Sequence, residues 1–391
     1  MKRFDSFTDF VLHFVKILFW VIVIFPIVLA PILLMIIEMK WIPFPVSPYI
    51  FIMDPFAVID FQMKIFTSDF GKISLFPGFT FAAAFAAIIG LWERKLLAKL
   101  QLRVGPLYAG KFEGILQPIA DVLKLITKEI VTPNKADKLL FLAAPFATVA
   151  IASAAIAVIP VSEFWVISRS DLGLLVIFAT IGFFPLVALM AAWGSNSKYP
   201  FLGGIRALHQ LVSYEIPMII STLGVVILTG SLNLVDIVKA QAGLPFIVLM
   251  PIGAFVFFWT ALAELQRIPF DLPEAESELV AGWLTEYTGM NFGLILGIAV
   301  YVKFYALAAV FTTLFLGGWL GPSILLPELW FILKTFIVIT AMILPRGLFP
   351  RIRLDMLLRR GWINMMLLAF INLFISVLIV QFGIVTPGVV S

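Results

Sequence analysis

Segment 264–287, ELQRIPFDLPEAESELVAGWLTEY, carries the residue types best suited to proton chemistry. It holds six acids against one base, Arg267, and the acids are Glu264, Asp271, Glu274, Glu276, Glu278 and Glu286. Asp271 and Glu274 match a helix capping box, and acids also suit a first helical turn, but capping uses only one or two acids. Crowding and a low dielectric favour the protonated form of a carboxylate. The segment is therefore predicted to be part of a proton relay, with Asp271 also capping a helix.

Two further carboxylates stand at the edges of apolar segments. Glu93 is followed by Arg94 and a lysine. Long basic side chains can anchor a helix end by extending to the headgroups, which accounts for the bases but leaves Glu93 open to either a structural or a functional interpretation. Glu215 follows a polar stretch that contains Lys198 and Arg206. A carboxylate entering a membrane helix is costly unless it is paired or hydrated, so Glu215 is predicted to be functional.

Residues 113–130, EGILQPIADVLKLITKEI, have apolar positions at helical spacing, and Asp121 and Lys124 lie on the other face. This pattern predicts an amphipathic helix on the membrane surface, although single polar residues can still line a cavity. Segment 345–360, PRGLFPRIRLDMLLRR, contains five Arg and one Asp. Anchoring at the headgroups explains the bases; alternatively, Arg351, Arg353 and Asp355 dock an acidic partner.

The elements that position these residues are predicted from composition. Of 391 residues 62% are apolar and 13% charged, whereas soluble chains carry about a quarter charged residues. Apolar stretches of bilayer-spanning length recur, and helices satisfy their own backbone in lipid. The chain is expected to be an all-α integral membrane protein of about nine transmembrane helices. They are placed at 17–37, 76–98, 139–161, 171–193, 215–232, 245–264, 290–318, 324–345 and 361–384.

The distribution of basic residues orients these helices. With the N-terminus in the cytoplasm, the inside segments hold 20 Lys and Arg and the outside segments hold 5. This bias predicts a cytoplasmic N-terminus and polar loops that face the cytoplasm. The expected location is the cell (plasma) membrane, in preference to the mitochondrial inner membrane.

Cysteine is absent and only two histidines occur, so a thiolate-ligated iron–sulfur cluster is excluded and a haem or zinc site is not expected. Two parts are predicted along the chain. Residues 1–77 are expected to contain an extra N-terminal transmembrane helix and an extracytoplasmic insertion, and residues 78–391 to form the main membrane domain.

These polar segments, in this order, resemble the respiratory complex I family, and specifically its membrane subunit that abuts the hydrophilic arm, in bacteria as in mitochondria. The resemblance covers residues 78–384 and five ordered motifs. The matching residues are Glu93–Lys95, Gln101, Arg103, Gly105 and Pro106; Gln117, Pro118, Asp121, Lys124 and Lys128; Ser195–Tyr199, Gly204, Arg206, Gln210 and Ser213–Glu215; Glu264, Arg267, Pro269–Leu272, Glu274, Glu276, Glu278, Gly282, Glu286 and Tyr287; and Leu316–Trp319, Arg346, Pro350, Arg351, Arg353 and Asp355.

The resemblance implies eight helices around a tunnel through which a quinone head group approaches the terminal iron–sulfur cluster of a neighbouring subunit. It implies an acidic path from that tunnel into the membrane arm, formed by Glu215, Glu264, Glu274, Glu276 and Glu278. It also implies charged residues that line the tunnel or its junction with peripheral subunits. That set is Glu93, Arg94, Asp121, Lys124, Lys198, Arg206, Arg267, Asp271, Glu286, Arg346, Arg351, Arg353 and Asp355.

The chain departs from the family pattern within segment 297–303, GIAVYVK, where relatives usually carry a Glu-Tyr pair. The nearest position here is Ala299, and Lys303 lies close by. A buried lysine can exchange protons near neutral pH, which leads to the hypothesis that Lys303 partly replaces the missing acid, working with Glu264 or Glu215. The alternative is that Lys303 only balances one of the remaining carboxylates.

The sequence is therefore interpreted as a subunit of a proton-translocating, quinone-reducing complex of the complex I type. Quinone is the expected substrate, nothing is bound covalently, and the iron–sulfur clusters lie on partner subunits. The other expected partners are membrane-arm subunits and the bilayer, without nucleic acid. The alternatives are a subunit of a membrane-bound hydrogenase or related archaeal complex, which shares this scaffold, and a stand-alone secondary transporter, which favours inverted repeats that are not evident here.

Overall fold

The structure is a computed structural model that describes residues 69–110 and 114–382. The chain divides into two compact units after Gly78. In the first unit the described residues are 69–78, and they contain one helix, α1, Asp69–Ser74. The predicted helix 17–37 lies outside the described residues, as does most of the predicted insertion 38–77. The nature of the N-terminal part therefore stays a prediction.

The second unit is helical in its described part, as expected for an all-α membrane protein. Its α-helices are α2 Phe79–Leu100, α3 Gln117–Thr127, α4 Lys138–Ile156, α5 Gly173–Gly182, α6 Phe184–Gly194, α7 Lys198–Thr229, α8 Leu234–Ala240, α9 Phe246–Leu249, α10 Pro251–Glu264, α11 Glu276–Leu279, α12 Gly289–Phe292, α13 Val300–Phe315, α14 Pro327–Leu348, α15 Leu354–Arg359 and α16 Met366–Gln381. A 3₁₀ turn covers Gly282–Leu284, and π-helical turns at Gly293–Ala299 and Arg360–Met365 lead into α13 and α16.

Seven helical stretches of the described part are long and apolar enough to cross a membrane, and α10 is a shorter apolar helix of 14 residues. Together they match the eight predicted spans that follow residue 75. The predicted span 215–232 starts too late, because α7 begins at Lys198. Hydropathy marks only the apolar part of such a helix, whereas α7 continues through a polar half that carries Arg206 and Gln210. The segment expected to be a loop is thus helical.

Helix α7 forms the centre of the bundle, packing against α6, α10 and α16. Small residues allow this close approach, since a Cβ atom at Gly224 or Gly253 would lie 2.8 Å or less from the Asn372 side chain of α16. The Asn372 amide donates to the Ser221 carbonyl of α7 at 3.2 Å. Such close packing with interhelical hydrogen bonds is how membrane helices associate, because lipid is as apolar as their side chains.

The predicted amphipathic helix forms as α3. Its Leu125 side chain lies against Gly293 of the bundle, with Cδ1 2.9 Å from the position a Cβ atom would take there. Ile119, Leu123 and Ile126 are each more than half exposed. An exposed apolar stripe of this kind suits a membrane interface or a partner subunit.

Candidate functional site

Glu93 of α2 lies at the centre of the first charged group, and only 2% of its side chain is exposed. The Arg346 guanidinium of α14 donates to Glu93 Oε1. The Tyr301 hydroxyl of α13 donates to Glu93 Oε2 at 2.8 Å, and Arg267 NH1 lies 3.7 Å from Glu93 Oε1. We call Glu93, Arg267, Tyr301 and Arg346 the Glu93 cluster. It joins α2, α13 and α14 to the segment that follows α10.

Arg267 is the cation of the Glu93 cluster with unused hydrogen-bonding capacity. Its guanidinium carbon lies 5.0 Å from the centre of the Tyr301 ring. Its Nε and NH2 atoms are buried and have no hydrogen-bond partner among the described residues. Burial acts to lower the pKa of Arg267, but the Glu93 carboxylate, together with Tyr301 and Glu274, raises it on balance. Arg267 therefore holds buried, charged donors that have no acceptor among the described residues.

The segment after α10 is held by contacts at both of its ends. The Gln210 amide of α7 donates to the Ala263 and Phe270 carbonyls, each at 2.8 Å. Arg351 NH2 donates to the Asp271 carbonyl and lies 3.9 Å from Asp271 Oδ2. The Nε of Arg351 is a second buried guanidinium nitrogen without a described partner. Arg267 and Asp271 are thus fixed against α7 and the segment before α15.

Two ion pairs lie on the exposed rim of this end of the bundle. Arg94 NH1 lies 2.5 Å from Asp121 Oδ2, and the Gln117 amide donates to Asp121 Oδ1 at 2.9 Å. Arg206 NH1 lies 2.5 Å from Glu278 Oε2. The hydrogen bond and charge of Arg206 lower the pKa of Glu278, which therefore stays ionised at neutral pH. These pairs tie α2 to α3 and α7 to α11.

The second charged group lies inside the bundle. Lys303 Nζ of α13 donates to Glu264 Oε2 at 2.8 Å and to the Glu264 carbonyl at 2.9 Å. The lysine side chain is 4% exposed and the glutamate side chain is completely buried. Half-buried Glu215 of α7 interacts electrostatically with both residues. We call Glu215, Glu264 and Lys303 the Lys303 cluster, which unites one base with two acids.

Not all of the residues singled out in the sequence enter these groups. Glu274 is half buried and acts electrostatically on Arg267. Glu276 begins α11, but its side chain lies outside the described part. Five further candidates belong to neither cluster: the exposed Lys124, Lys198, Arg353 and Asp355, and the half-buried Glu286. Lys303 contacts Glu264, as both the relay hypothesis and the alternative of simple charge balance predict.

Sequence reasoning assigned no role to three residues that shape the clusters, although Gln210 was among the residues that match the family motifs. Tyr301 contributes a hydroxyl to Glu93, Gln210 holds the segment that carries Arg267, and Phe184 places its ring 3.9 Å from Lys303 Nζ. A tyrosine two positions before a lysine in an otherwise apolar helix was the only available signal for Tyr301. Gln210 and Phe184 act through tertiary contacts that no local pattern marks.

Comparisons with known proteins show the family to which the chain belongs. A sequence model of the NADH dehydrogenase family matches residues 73–377. The chain is 44% identical over 292 residues to the H subunit of the NADH-quinone oxidoreductase from Dehalococcoides mccartyi, covering 74% of this chain and 82% of that protein. Proteins of the same name from Anoxybacillus flavithermus and a Geobacillus species are each 45% identical. They match over 294 and 293 residues, which is 74% of this chain in both cases and 88% and 87% of those proteins.

Proposed function

The chain belongs to the NADH dehydrogenase family, and from that premise we propose that it is the membrane subunit of a multisubunit NADH-quinone oxidoreductase of the complex I type. In this proposal the chain forms part of a quinone tunnel and of the acidic path that couples quinone reduction to proton pumping. Electrons come from an iron–sulfur cluster on a peripheral partner subunit. The described residues supply binding and proton-exchanging groups.

The observation that carries the tunnel assignment is the set of donors on Arg267 that have no partner among the described residues. Buried donors are almost always satisfied, so these donors call for an acceptor from outside the described part of the chain. Quinone carbonyl oxygens are acceptors of this kind, as are carboxylates of a neighbouring subunit. Glu93, which also accepts a hydrogen bond from Arg346, lies 3.7 Å from Arg267 NH1. The rim pairs of Arg94 with Asp121 and of Arg206 with Glu278 lie at the same end of the bundle.

The acidic path is proposed to run from the segment after α10 into the membrane through Glu278, Glu276, Glu274, Glu264 and Glu215. Lys303 contacts Glu264 and interacts electrostatically with Glu215. It lies four residues after Ala299, the position nearest to the glutamate that the family pattern usually carries. Charged groups are expensive inside a bilayer and are retained where they serve transport or proton relays. The Lys303 cluster has one more acid than base, so neutrality requires one additional proton, and that proton is the one proposed to move.

Quinone reduction tests the tunnel assignment. Arg267→Gln in the intact complex should lower quinone reduction by about ten-fold or more, the effect of losing one charged hydrogen bond to a bound carbonyl. Reduction of artificial acceptors that take electrons before they reach the quinone should persist. The matched control is Arg169→Gln. Arg169 lies in the loop between α4 and α5, where it donates to the Glu163 carbonyl. Quinone kinetics as in the wild type would remove the tunnel assignment, and loss of both activities would indicate failed assembly.

The composition of the complex separates the main proposal from the hydrogenase-linked alternative. A nucleotide-oxidising module and extractable quinone should co-purify with this chain. A nickel-containing partner in their place would support the hydrogenase-linked alternative. Isolation of the chain without partner subunits would favour a stand-alone transporter.

The orientation in the plasma membrane is proposed from the distribution of basic residues. Lys135 precedes α4, and exposed Ser168 lies between α4 and α5 at the other end of the bundle. Because the chain lacks cysteine, single substitutions Lys135→Cys and Ser168→Cys give clean labelling sites. An impermeant thiol reagent should label position 135 only from the cytoplasmic side and position 168 only from outside. The reverse pattern would invert the proposed topology.

A further inference from the structure

The ammonium group of Lys303 has one donor more than Glu264 uses. A lysine ammonium carries three N–H donors. Two of them reach Glu264, one to the side-chain Oε2 atom and one to the main-chain carbonyl. The Phe184 ring centre lies 3.9 Å from the same nitrogen, which is within the range of a cation–π contact. The face of the ring is therefore the partner available to the third N–H.

The surroundings offer little else that would solvate this charge. A cavity of ≈ 10 Å³ borders Lys303 and Phe184, and the remaining residues that line it are apolar: Ile151, Ala152, Ala155, Ile181 and Ala306. A water molecule needs about this much space together with two to four polar partners. Lys303 is the one polar residue of this lining, which is too few partners to hold a water. A bound water therefore cannot readily take the place of the ring as the partner of the third N–H.

Phe184 stands where α5 passes into α6. The two helices are separated only by Phe183, a one-residue break whose backbone stays in the right-handed helical region. Pro185 has no N–H to donate to the Ile181 carbonyl, which weakens the helix at this point. On the other side of the break, Gly182 leaves room for Glu215, because a Cβ atom there would lie 2.5 Å from Glu215 Oε1. Gly182 and Phe184, on the two sides of Phe183, thus lie against Glu215 and Lys303 respectively.

We propose that Phe184 is a positioning residue for Lys303. The face of its ring holds the ammonium on Glu264 and within electrostatic reach of Glu215. The inference rests on the proposed function, because it specifies how the base of the Lys303 cluster is kept in place during proton exchange. The contribution is electrostatic, since the electron-rich face of an aromatic ring attracts a cation.

Progressive fluorination of the ring tests this role in the assembled complex. Phenylalanine analogues with one, two and three ring fluorines, introduced at position 184, withdraw charge from the ring face with little change in shape. Pumped protons per electron pair should fall stepwise, to about a tenth of the wild-type value with the trifluorinated ring. Phe184→Leu, which removes the ring, should show a similar loss.

The matched control is Phe257 of α10, a buried ring whose neighbours are the Phe311 and Phe315 rings, with centres 6.0 and 5.9 Å away. The same fluorinated analogues at position 257 should leave pumping unchanged. A stepwise loss at position 184 alone supports the inference. A flat series at position 184, or an equal decline at both positions, would overturn it.

A parallel Lys303→Met variant keeps the two proposals apart. Lost pumping in that variant together with a flat series at position 184 would reject the role of Phe184 and leave the acidic path standing. Normal pumping in Lys303→Met would instead reject the proposed role of Lys303, and the positioning role of Phe184 with it.

Discussion

The two buried clusters of this chain are opposite in charge ratio. The Glu93 cluster sets two guanidinium groups against one carboxylate, with a tyrosine hydroxyl as the fourth member. The Lys303 cluster sets one ammonium against two carboxylates. Helix α13 contributes to both, since Tyr301 and Lys303 are two residues apart and so point about 200° away from each other around the helix. One helix thus separates the two clusters.

The cations of the two clusters also differ in chemistry. Arginine keeps its proton under all physiological conditions, whereas lysine and glutamate can exchange theirs. The bases of the Glu93 cluster are both arginines, so its positive charge is fixed and suits binding an acceptor. The Lys303 cluster consists of a lysine and two glutamates, residue types that exchange protons, which suits proton transfer. The difference leads us to assign substrate binding to the first cluster and proton movement to the second.

The largest expected effect follows from breaking the Glu93 cluster at its centre. Glu93→Gln leaves the Arg267 and Arg346 guanidinium groups beside a neutral side chain. Removing one member of a buried ion pair costs about 3–5 kcal/mol. We therefore expect little assembled complex and faster thermal inactivation of what remains. Glu163→Gln serves as the control, because Glu163 and its partner Lys239 are both exposed, and should behave like wild type. Full assembly of Glu93→Gln would show that the cluster does not hold this end together.

The second prediction concerns the titratable base of the Lys303 cluster. Lys303→Met removes the charge at similar length, and Lys303→Arg keeps a charge that cannot titrate. Both variants should assemble, because Arg keeps the ion pair and the carboxyl group that Met leaves alone can be protonated instead of staying charged. Both should reduce quinone when the membrane is uncoupled, but both should pump poorly. Proton uptake per electron pair in sealed vesicles measures this loss. Normal pumping by Lys303→Arg would show that Lys303 only balances Glu264, and the contrast between the two clusters would then be one of charge ratio alone.

A smaller effect is expected for the rim pair of Arg94 and Asp121. Both side chains are partly exposed, so the coupling energy from a double-mutant cycle should be at most about 1 kcal/mol. Arg94→Ala should therefore leave assembly unchanged and raise the apparent KM for quinone. A coupling energy of about 3–5 kcal/mol, as expected for the Glu93 cluster, would show that this pair behaves as a buried ion pair.

The smallest effect is a pH dependence at Glu278. Its folded-state pKa is lowered by Arg206, so any stabilisation is present above the unfolded-state pKa and is lost as the pH falls through the lowered value. The difference between wild type and Glu278→Gln in thermal inactivation should thus be small and constant from about pH 6 to 9. Below that range it should shrink toward zero. A difference that changes near pH 7 would mean that Glu278 is not held ionised by Arg206.

Local sequence patterns predicted most of the helices, because bilayer-length apolar runs leave the backbone few alternatives. They failed at the start of α7, where a polar stretch including Arg206 and Gln210 continues the helix beyond its apolar part. They also singled out Glu93, Glu215 and Glu264, since a carboxylate in an apolar segment is conspicuous. They did not indicate which base each acid meets, as Glu93 and Arg346 are separated by 253 residues and Glu264 and Lys303 by 39.

The sequence by itself determined the class of the protein, the approximate spans and the acids and bases available for chemistry, because these depend on composition and on short-range periodicity. The tertiary structure decided how those charges are grouped. Only tertiary packing places two arginines beside Glu93 and one lysine on Glu264, and only the packing of α6 against α13 brings Phe184 to Lys303. Interactions between charges depend strongly on distance and burial, and both are set by contacts between helices that are far apart in the sequence.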